Sequence, residues 1–321
     1  IIALTGDVML GRLVNEHVRA YGPAYVWGDT AELLMKADLA MINLECAVTS
    51  HEEPWPEEKA FYFRADPEAI TCLKLAGIDC VTLANNHTLD FREAGLLEML
   101  ELLDRAGIRH AGAGRNLEEA MAPAVMKACD MKIAVVAFQD NEPSWAAGER
   151  KPGTFYLPVT TGEKYFGMLR GALKRAKELA DLVILSAHWG PNLRLRPSEE
   201  FRKFAHAAMD AGADIFHGHS AHTFQGIEIY KGKPILYDTG DFVDDYMVTP
   251  DVQNDQQLLY RLVLGRSGVE KIEMVPVLIS QCQVNVAHSW VVDSIERKLR
   301  MLCSEMGTKV ERLDDRFLVK V

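Results

Sequence analysis

The sequence predicts an α/β protein of two sheets with helices packed outside them, and three observations carry that prediction. Short β-branched runs alternate with helically spaced ones from residue 1 to about residue 214, the rhythm of βαβ units with a largely parallel sheet. Several of these runs end on a polar residue able to ligate a cation. Beyond residue 226 the pattern changes to paired strands about short turns, which adds antiparallel hairpins to the parallel part.

The elements follow in order. Residues 1–4 read as a first strand running into Thr5, Gly6 and Asp7, residues 30–36 as a helix, and residues 39–44 as a second strand ending at Glu45. A loop rich in proline and acid, 51–59, precedes a short strand expected at 61–63. Asp66 and Pro67 open a helix expected over 67–76, since proline suits the first helical turn, and Gly77 stops it. Residues 78–84 form the third strand, leading into Asn85, Asn86 and His87. A long amphipathic helix is expected at 96–106 and a buried strand at 132–138. The stretch 139–158 is long enough to be a lid or an active-site wall. A helix at 163–180, a strand at 182–185 leading into His188, and a helix at 199–211 complete the βαβ part. Hairpins are expected from 227–230 with 234–237, and from 258–264 with 269–277 about residues 266–268. A helix at 289–306 and a short strand at 317–319 end the chain.

The bulk properties set bounds. With 321 residues, 48% hydrophobic and 25% charged, the chain can bury a full core. Without repeats, low-complexity segments or linkers, it is expected to be a single domain over 1–321, with a core over about 1–280 and a C-terminal helical extension over 281–321. A net charge of -11 argues against a nucleic-acid binder, because neutralising phosphates needs a basic face. No apolar run reaches the ~20 residues of a membrane-spanning helix. Because residue 1 already lies in a strand, a signal peptide or membrane anchor removed upstream is one expectation, leaving cytoplasmic and envelope-associated placement both open. The six cysteines show no paired spacing and read as reduced core residues.

The chemistry centres on residues 215–226, where His217, His219 and His222 fall within six residues directly after an apolar run. Irregular backbone at the end of a strand can aim several imidazoles at one point. Asp7, Glu45, Asn86 and His188 each follow a predicted strand, and parallel strands deliver their carboxyl ends to one sheet edge. With His219 and His222 they form a mixed oxygen and nitrogen set without thiolate, which suits one or two divalent ions such as Mn, Fe, Zn or Mg. His217 stays outside the set because its direction is not fixed, and Asp244 and Asp245 read as a solvated turn.

Five motifs in order carry a family resemblance: residues 5–12 (Thr5 to Arg12), Asn43 to Glu45, Asn85 to Asp90, His188 to Gly190, and the histidine segment followed by Gln225 to Glu228. Over about residues 1–246 the chain resembles the CapA family of capsule-synthesis proteins associated with poly-γ-glutamate. That family is similar to the calcineurin-like metallophosphoesterases, which implies a four-layer α/β/β/α sandwich. The resemblance also implies that Asp7 holds the first metal and that Glu45 stands where a bridging aspartate is found. It gives Asn86 and His188 to the second metal, assigns His219 and His222 one to each, and makes His87 the general acid.

Departures from the pattern are local. Met9 replaces a ligand histidine, Ser220 stands where many relatives have another histidine, and Asn192 replaces an acid. Asp241 is the residue expected to compensate for Met9. The implied function is a CapA-like protein of capsule or poly-γ-glutamate biosynthesis, with a cation-activated water attacking an ester or amide centre. The alternatives are a phosphodiesterase or phosphatase, and a non-catalytic polymer assembly or export factor. An acidic polymer or phosphoester is the expected substrate, Arg12, Arg194 and Arg196 are its expected anchors, and membrane-associated capsule machinery is a potential partner.

Overall fold

A computed structural model describes residues 1–266 and 268–321. The expected hairpin turn about residues 266–268 includes position 267, which lies outside the described residues; the strands flanking it, Gln256–Gly265 and Gly268–Ser280, pair antiparallel as expected.

Two sheets stack face to face. The parallel centre of the first is built from Ile2–Val8, Leu39–Leu44, Cys80–Thr82 and Arg109–Ala111, and its antiparallel flank from Gln256–Gly265, Gly268–Ser280, Arg316–Lys320 and Glu311–Leu313. The second takes its parallel centre from Met131–Gln139, Leu182–His188, Ile215–His219 and Lys233–Leu236. All seven residues of Ile2–Val8 and of Leu182–His188 are buried, as near-continuous apolar strands require when both faces of a sheet are covered.

Side-chain alternation sorts these strands into layers. Ile2, Leu4, Ile133, Val135, Leu182 and Ile184 point between the sheets, where helix Trp290–Glu305 also contributes Val291, Ile295, Leu299 and Leu302. Ala3, Ile42 and Leu44 point the other way, onto helices Arg12–Tyr21, Ile70–Leu75 and Arg92–Ala106. Val136, Val183, Leu185 and Phe216 likewise meet helices Glu163–Leu179 and Glu199–Asp210. Three apolar interfaces between four layers make this an α/β/β/α sandwich, the architecture the resemblance implied.

Several local expectations need correcting. Residues 61–63 are not a strand; the pairing falls on Arg64–Ala65, which joins Ala47–Val48. The histidine segment is only half loop, because strand Ile215–His219 already contains His217 and His219. Helix Arg12–Tyr21 and strands Ala124–Ala128 and Arg109–Ala111 are additional elements. The 281–321 segment adds strands Gln283–Val286, Glu311–Leu313 and Arg316–Lys320 to its helix, and the last of these pairs with Gly268–Ser280. Five of the six free cysteines are buried, and burial pushes the thiols of Cys46 and Cys72 up to about 12, where they are inert; Cys129 is exposed.

Candidate metal centre

Strand register assembles the site. Asp7 pairs with Asn43 on one side and Asp241 on the other, while His188 pairs with His219 in the second sheet. Close backbone approach makes the first arrangement feasible: a Cβ on Gly6 would stand 1.8 Å from the Gly240 carbonyl oxygen, so only glycine lets Asp241 come alongside Asp7. Gly218 does the same between two histidines, since a Cβ there would meet the Tyr237 carbonyl at 2.0 Å.

Two groups of ligating atoms result, each with its atoms within 4.8 Å of one another: Asp7, His188 and His219, and Asp7, Glu45, His222 and Asp241. Asp7 is common to both, the position the resemblance had given to Glu45. Its Oδ1 lies 3.2 Å from His219 Nδ1 and 3.7 Å from His188 Nδ1, and its Oδ2 lies 3.8 Å from His222 Nδ1. Glu45 Oε1 is 3.7 Å from His188 Nε2, and His222 Nδ1 is 2.8 Å from Asp241 Oδ1. Asp241 lies in this group, beside His222. Met9 itself is fully buried, with its sulfur accepting from the Gly11 amide.

The donor set fits a cation. Asp7 Oδ2, Glu45 Oε1, Asn86 Oδ1, His188 Nε2 and Asp241 Oδ2 are all buried without a hydrogen-bond partner. Leaving such atoms unpaired costs about 1–3 kcal/mol each, so a shared cation is the economical resolution. Electrostatics agree. Burial, and then Asp7 beside it, raises Glu45 well above the usual carboxylate range, and Asp241 is raised by the same two causes. Burial pushes Asp238 up to about 8 and raises Asp244 as well, while it pushes His188 down to about 4 and His217 to about 3. Burial would also raise Asp7, but His188 and then His219 outweigh it and hold Asp7 well below 3.8.

Several supporting residues carried no role in the sequence. Asn43 donates its amide to Asp7 Oδ1 at 2.7 Å, and its Oδ1 accepts from Thr82 and Asn85. The Tyr246 hydroxyl donates to Glu45 Oε2 at 3.1 Å. His217 leans away, with Nε2 2.9 Å from the Thr5 carbonyl oxygen. Asp244 is only 5% exposed and Asp245 pairs with Arg12 at 3.3 Å, so neither is the solvated turn expected.

His87 stands beside the two groups. Its Nδ1 lies 2.6 Å from Asp90 Oδ2, Phe63 stacks on its ring at 3.7 Å, and it is 7% exposed. Lys59 closes the far side of this pair, with Nζ 2.6 Å from Asp90 Oδ1, a hydrogen bond to the Asn86 carbonyl, and the Trp145 ring 4.2 Å away. Burial lowers the His87 pKa and Asp90 opposes that shift. The 139–158 stretch packs beside the histidines: Trp145 is fully buried, and Asn141 donates to Ser220 at 3.3 Å.

The three expected arginines differ. Arg12 lies 5.0 Å from the Phe61 ring centroid as well as pairing with Asp245. Arg196 is paired with Glu305 through Nε at 2.6 Å and Nη2 at 2.7 Å. Arg194 lines a cavity beside the histidine segment.

The family described as "Bacterial capsule synthesis protein PGA_cap" matches residues 1–246. A probable polyglutamine synthesis accessory protein of Mycobacterium tuberculosis is 30% identical, over 96% of this chain and 86% of its own length. The capsule biosynthesis protein CapA of Bacillus anthracis is 28% identical, over 87% of this chain and 67% of its own. Among solved structures, a phosphatase from Mycoplasma pneumoniae aligns with a TM-score of 0.48 at 15% identity, covering 88% of this chain and 90% of that one.

Proposed function

The chain belongs to the bacterial capsule synthesis protein PGA_cap family, and from that premise we propose that one domain spanning residues 1–321 serves capsule or poly-γ-glutamate biosynthesis through a metal-dependent hydrolase site. The observation that carries this proposal is the pair of ligating groups joined by Asp7 at the carboxyl ends of the strands.

In this proposal His188 and His219 would hold one divalent cation and Glu45, His222 and Asp241 another, with Asp7 available to both. Asn86 completes the set through its unpartnered Oδ1. Charge supports two ions. Asp7, Glu45, Asp238, Asp241 and Asp244 are all buried, and the ion-pair partners of Asp7, Glu45 and Asp241 among the described residues are histidines. Without lysine or arginine beside them, these buried carboxyls either hold protons, as the raised Glu45, Asp238, Asp241 and Asp244 do, or need cations to carry their charge. When bound, the ions supply Lewis-acid activation of water and stabilisation of developing negative charge.

The chain's own residues handle the proton. Asp90 occupies His87 Nδ1, which leaves Nε2 as the atom that passes a proton to the leaving group. Phe63 fixes the ring plane and Lys59 keeps Asp90 in place, so the imidazole does not have to reorganise during the step. The proposed substrate is an acidic polymer of γ-linked glutamate, the polymer that the resemblance to the capsule-synthesis family implies.

The test strips the protein with a chelator, reloads it with Mn²⁺, Fe²⁺, Zn²⁺ or Mg²⁺, and follows the chain length of γ-linked polyglutamate alongside hydrolysis of a chromogenic phosphodiester. Metal-dependent shortening of the polymer is expected. Cleavage of the phosphodiester alone would transfer the proposal to phosphoesters, and no hydrolysis with any metal would refute a hydrolase.

A further inference from the structure

A second feature lies within one residue of both ligating groups. Trp189 directly follows His188 and Ala221 directly precedes His222, and the two residues line a cavity of about 230 Å³ between the 189–198 loop and helix Glu199–Asp210. Trp189, Phe201 and two prolines form its apolar wall, and Arg194, Arg196 and Asp238 its polar side. The Trp189 indole is 3% exposed, donates to the Tyr237 carbonyl oxygen at 2.9 Å, and packs 4.8 Å from the Phe201 ring. Whole small ligands generally occupy pockets of about 300–1,000 Å³, so this one suits a single unit of a longer chain.

Arg194 lines the same cavity, and its placement is unusual. The loop that carries it is pinned on three sides: the Leu193 amide donates to the Ala221 carbonyl oxygen at 2.8 Å, Gln225 Nε2 donates to the Arg194 carbonyl oxygen at 2.8 Å, and Arg196 grips Glu305. Leu193 accepts a φ of +57° to make this path, a conformation a non-glycine residue holds only when its surroundings enforce it. The exposed Arg194 guanidinium, by contrast, has neither an ion-pair nor a hydrogen-bond partner among the described residues, although its neighbour Arg196 is fully engaged. Asp238 also borders the cavity, but Ala221 and Gly240 amides occupy its two oxygens at 2.9 Å each. A rigid backbone presenting one unpaired planar cation over an apolar, aromatic wall matches an aliphatic unit ending in a carboxylate. The methylenes lie on the rings and the guanidinium fork meets the two oxygens.

We propose that this cavity is the subsite for the unit next to the scissile linkage, with Arg194 reading its free carboxylate. The proposal deepens the polyglutamate hydrolase reading and rests on it for the identity of the unit.

The test measures binding, by calorimetry on the metal-loaded protein, of a short γ-linked glutamate oligomer and of the same oligomer with its free carboxylates converted to amides. Wild type is expected to prefer the acidic oligomer by about ten-fold or more, the usual effect of a charge-assisted pair. Arg194→Gln is expected to bring that preference to within about three-fold, while Arg194→Lys, which keeps the charge, retains more of it. Equal binding of both oligomers by wild type overturns the subsite, as does an undiminished preference in Arg194→Gln. Binding in the His87→Ala background reads the preference without turnover, so an intact preference there with no hydrolysis by the wild-type protein would refute the hydrolase and leave the subsite standing. Hydrolysis without the preference would do the reverse.

Discussion

At the scale of single residues, Asp7 and His87 have separable tasks. Asp7 belongs to both ligating groups, so Asp7→Asn is expected to remove metal from both, whereas Asp241→Asn should weaken only the group shared with Glu45 and His222. Elemental analysis of dialysed protein reads the difference, and full metal content in Asp7→Asn would contradict the bridging role. His87 touches neither group's ligating set, and His87→Ala is expected to lower metal-dependent turnover by about 10²–10⁴-fold with metal content intact. Asp90→Asn should lower it in the same direction, and the double variant should be little worse than His87→Ala alone, because Asp90 acts through the imidazole. Additive losses would separate the two residues. Most of the proposed ligands were legible in the sequence because they follow a predicted strand or sit in one dense histidine cluster. Asn43 was hidden for the opposite reason: inside a strand it reads as one more buried residue, and only the register with Asp7 gives its amide a task. Asp244 was misread because adjacent acids usually mark a solvated turn, and nothing local shows that the rest of the fold closes over it.

At the scale of elements, the alternation of strands and helices was enough to read the sheets, but not the places where backbones nearly touch. Gly218 is such a place, so Gly218→Ala is expected to cost about 1–3 kcal/mol or more by forcing strand Ile215–His219 away from Tyr237, and to weaken metal binding by shifting His219. Denaturant unfolding of the two proteins checks it, and equal midpoints would contradict it. Helix Trp290–Glu305 was predicted, yet its contribution beneath the histidine segment was not. Lys298 from this helix donates to Thr223 at 2.5 Å and to the Val252 carbonyl oxygen at 3.0 Å, and burial pushes it down to about 8. A lysine with a depressed folded pKa binds fewer protons folded than unfolded between about pH 8 and 10.5, so its contribution to stability rises through that window. Wild type should therefore gain about 3 kcal/mol relative to Lys298→Met from pH 8 to 10.5. Parallel stability profiles for the two proteins would show that Lys298 titrates normally.

At the scale of the whole molecule, the fold concentrates buried carboxylates where the two sheets' parallel strands end, and their protonation links metal to pH. Burial raises Glu45, Asp238, Asp241 and Asp244, so in the metal-free fold these groups hold protons that the unfolded chain releases near pH 4. Their effect is to make the metal-free protein lose stability as pH rises from about 4 towards the value of about 8 for Asp238. Cations require the deprotonated forms, so metal uptake at pH 7 is expected to release protons, seen as a binding heat that depends on buffer ionisation enthalpy. The most direct test of the central claim, two ligating groups sharing Asp7, is the metal stoichiometry of native protein by mass spectrometry after loading. Two divalent ions per chain are expected in wild type, and loss of both in Asp7→Asn. A wild type that binds no ion, or an Asp7→Asn protein that still holds two, would contradict it.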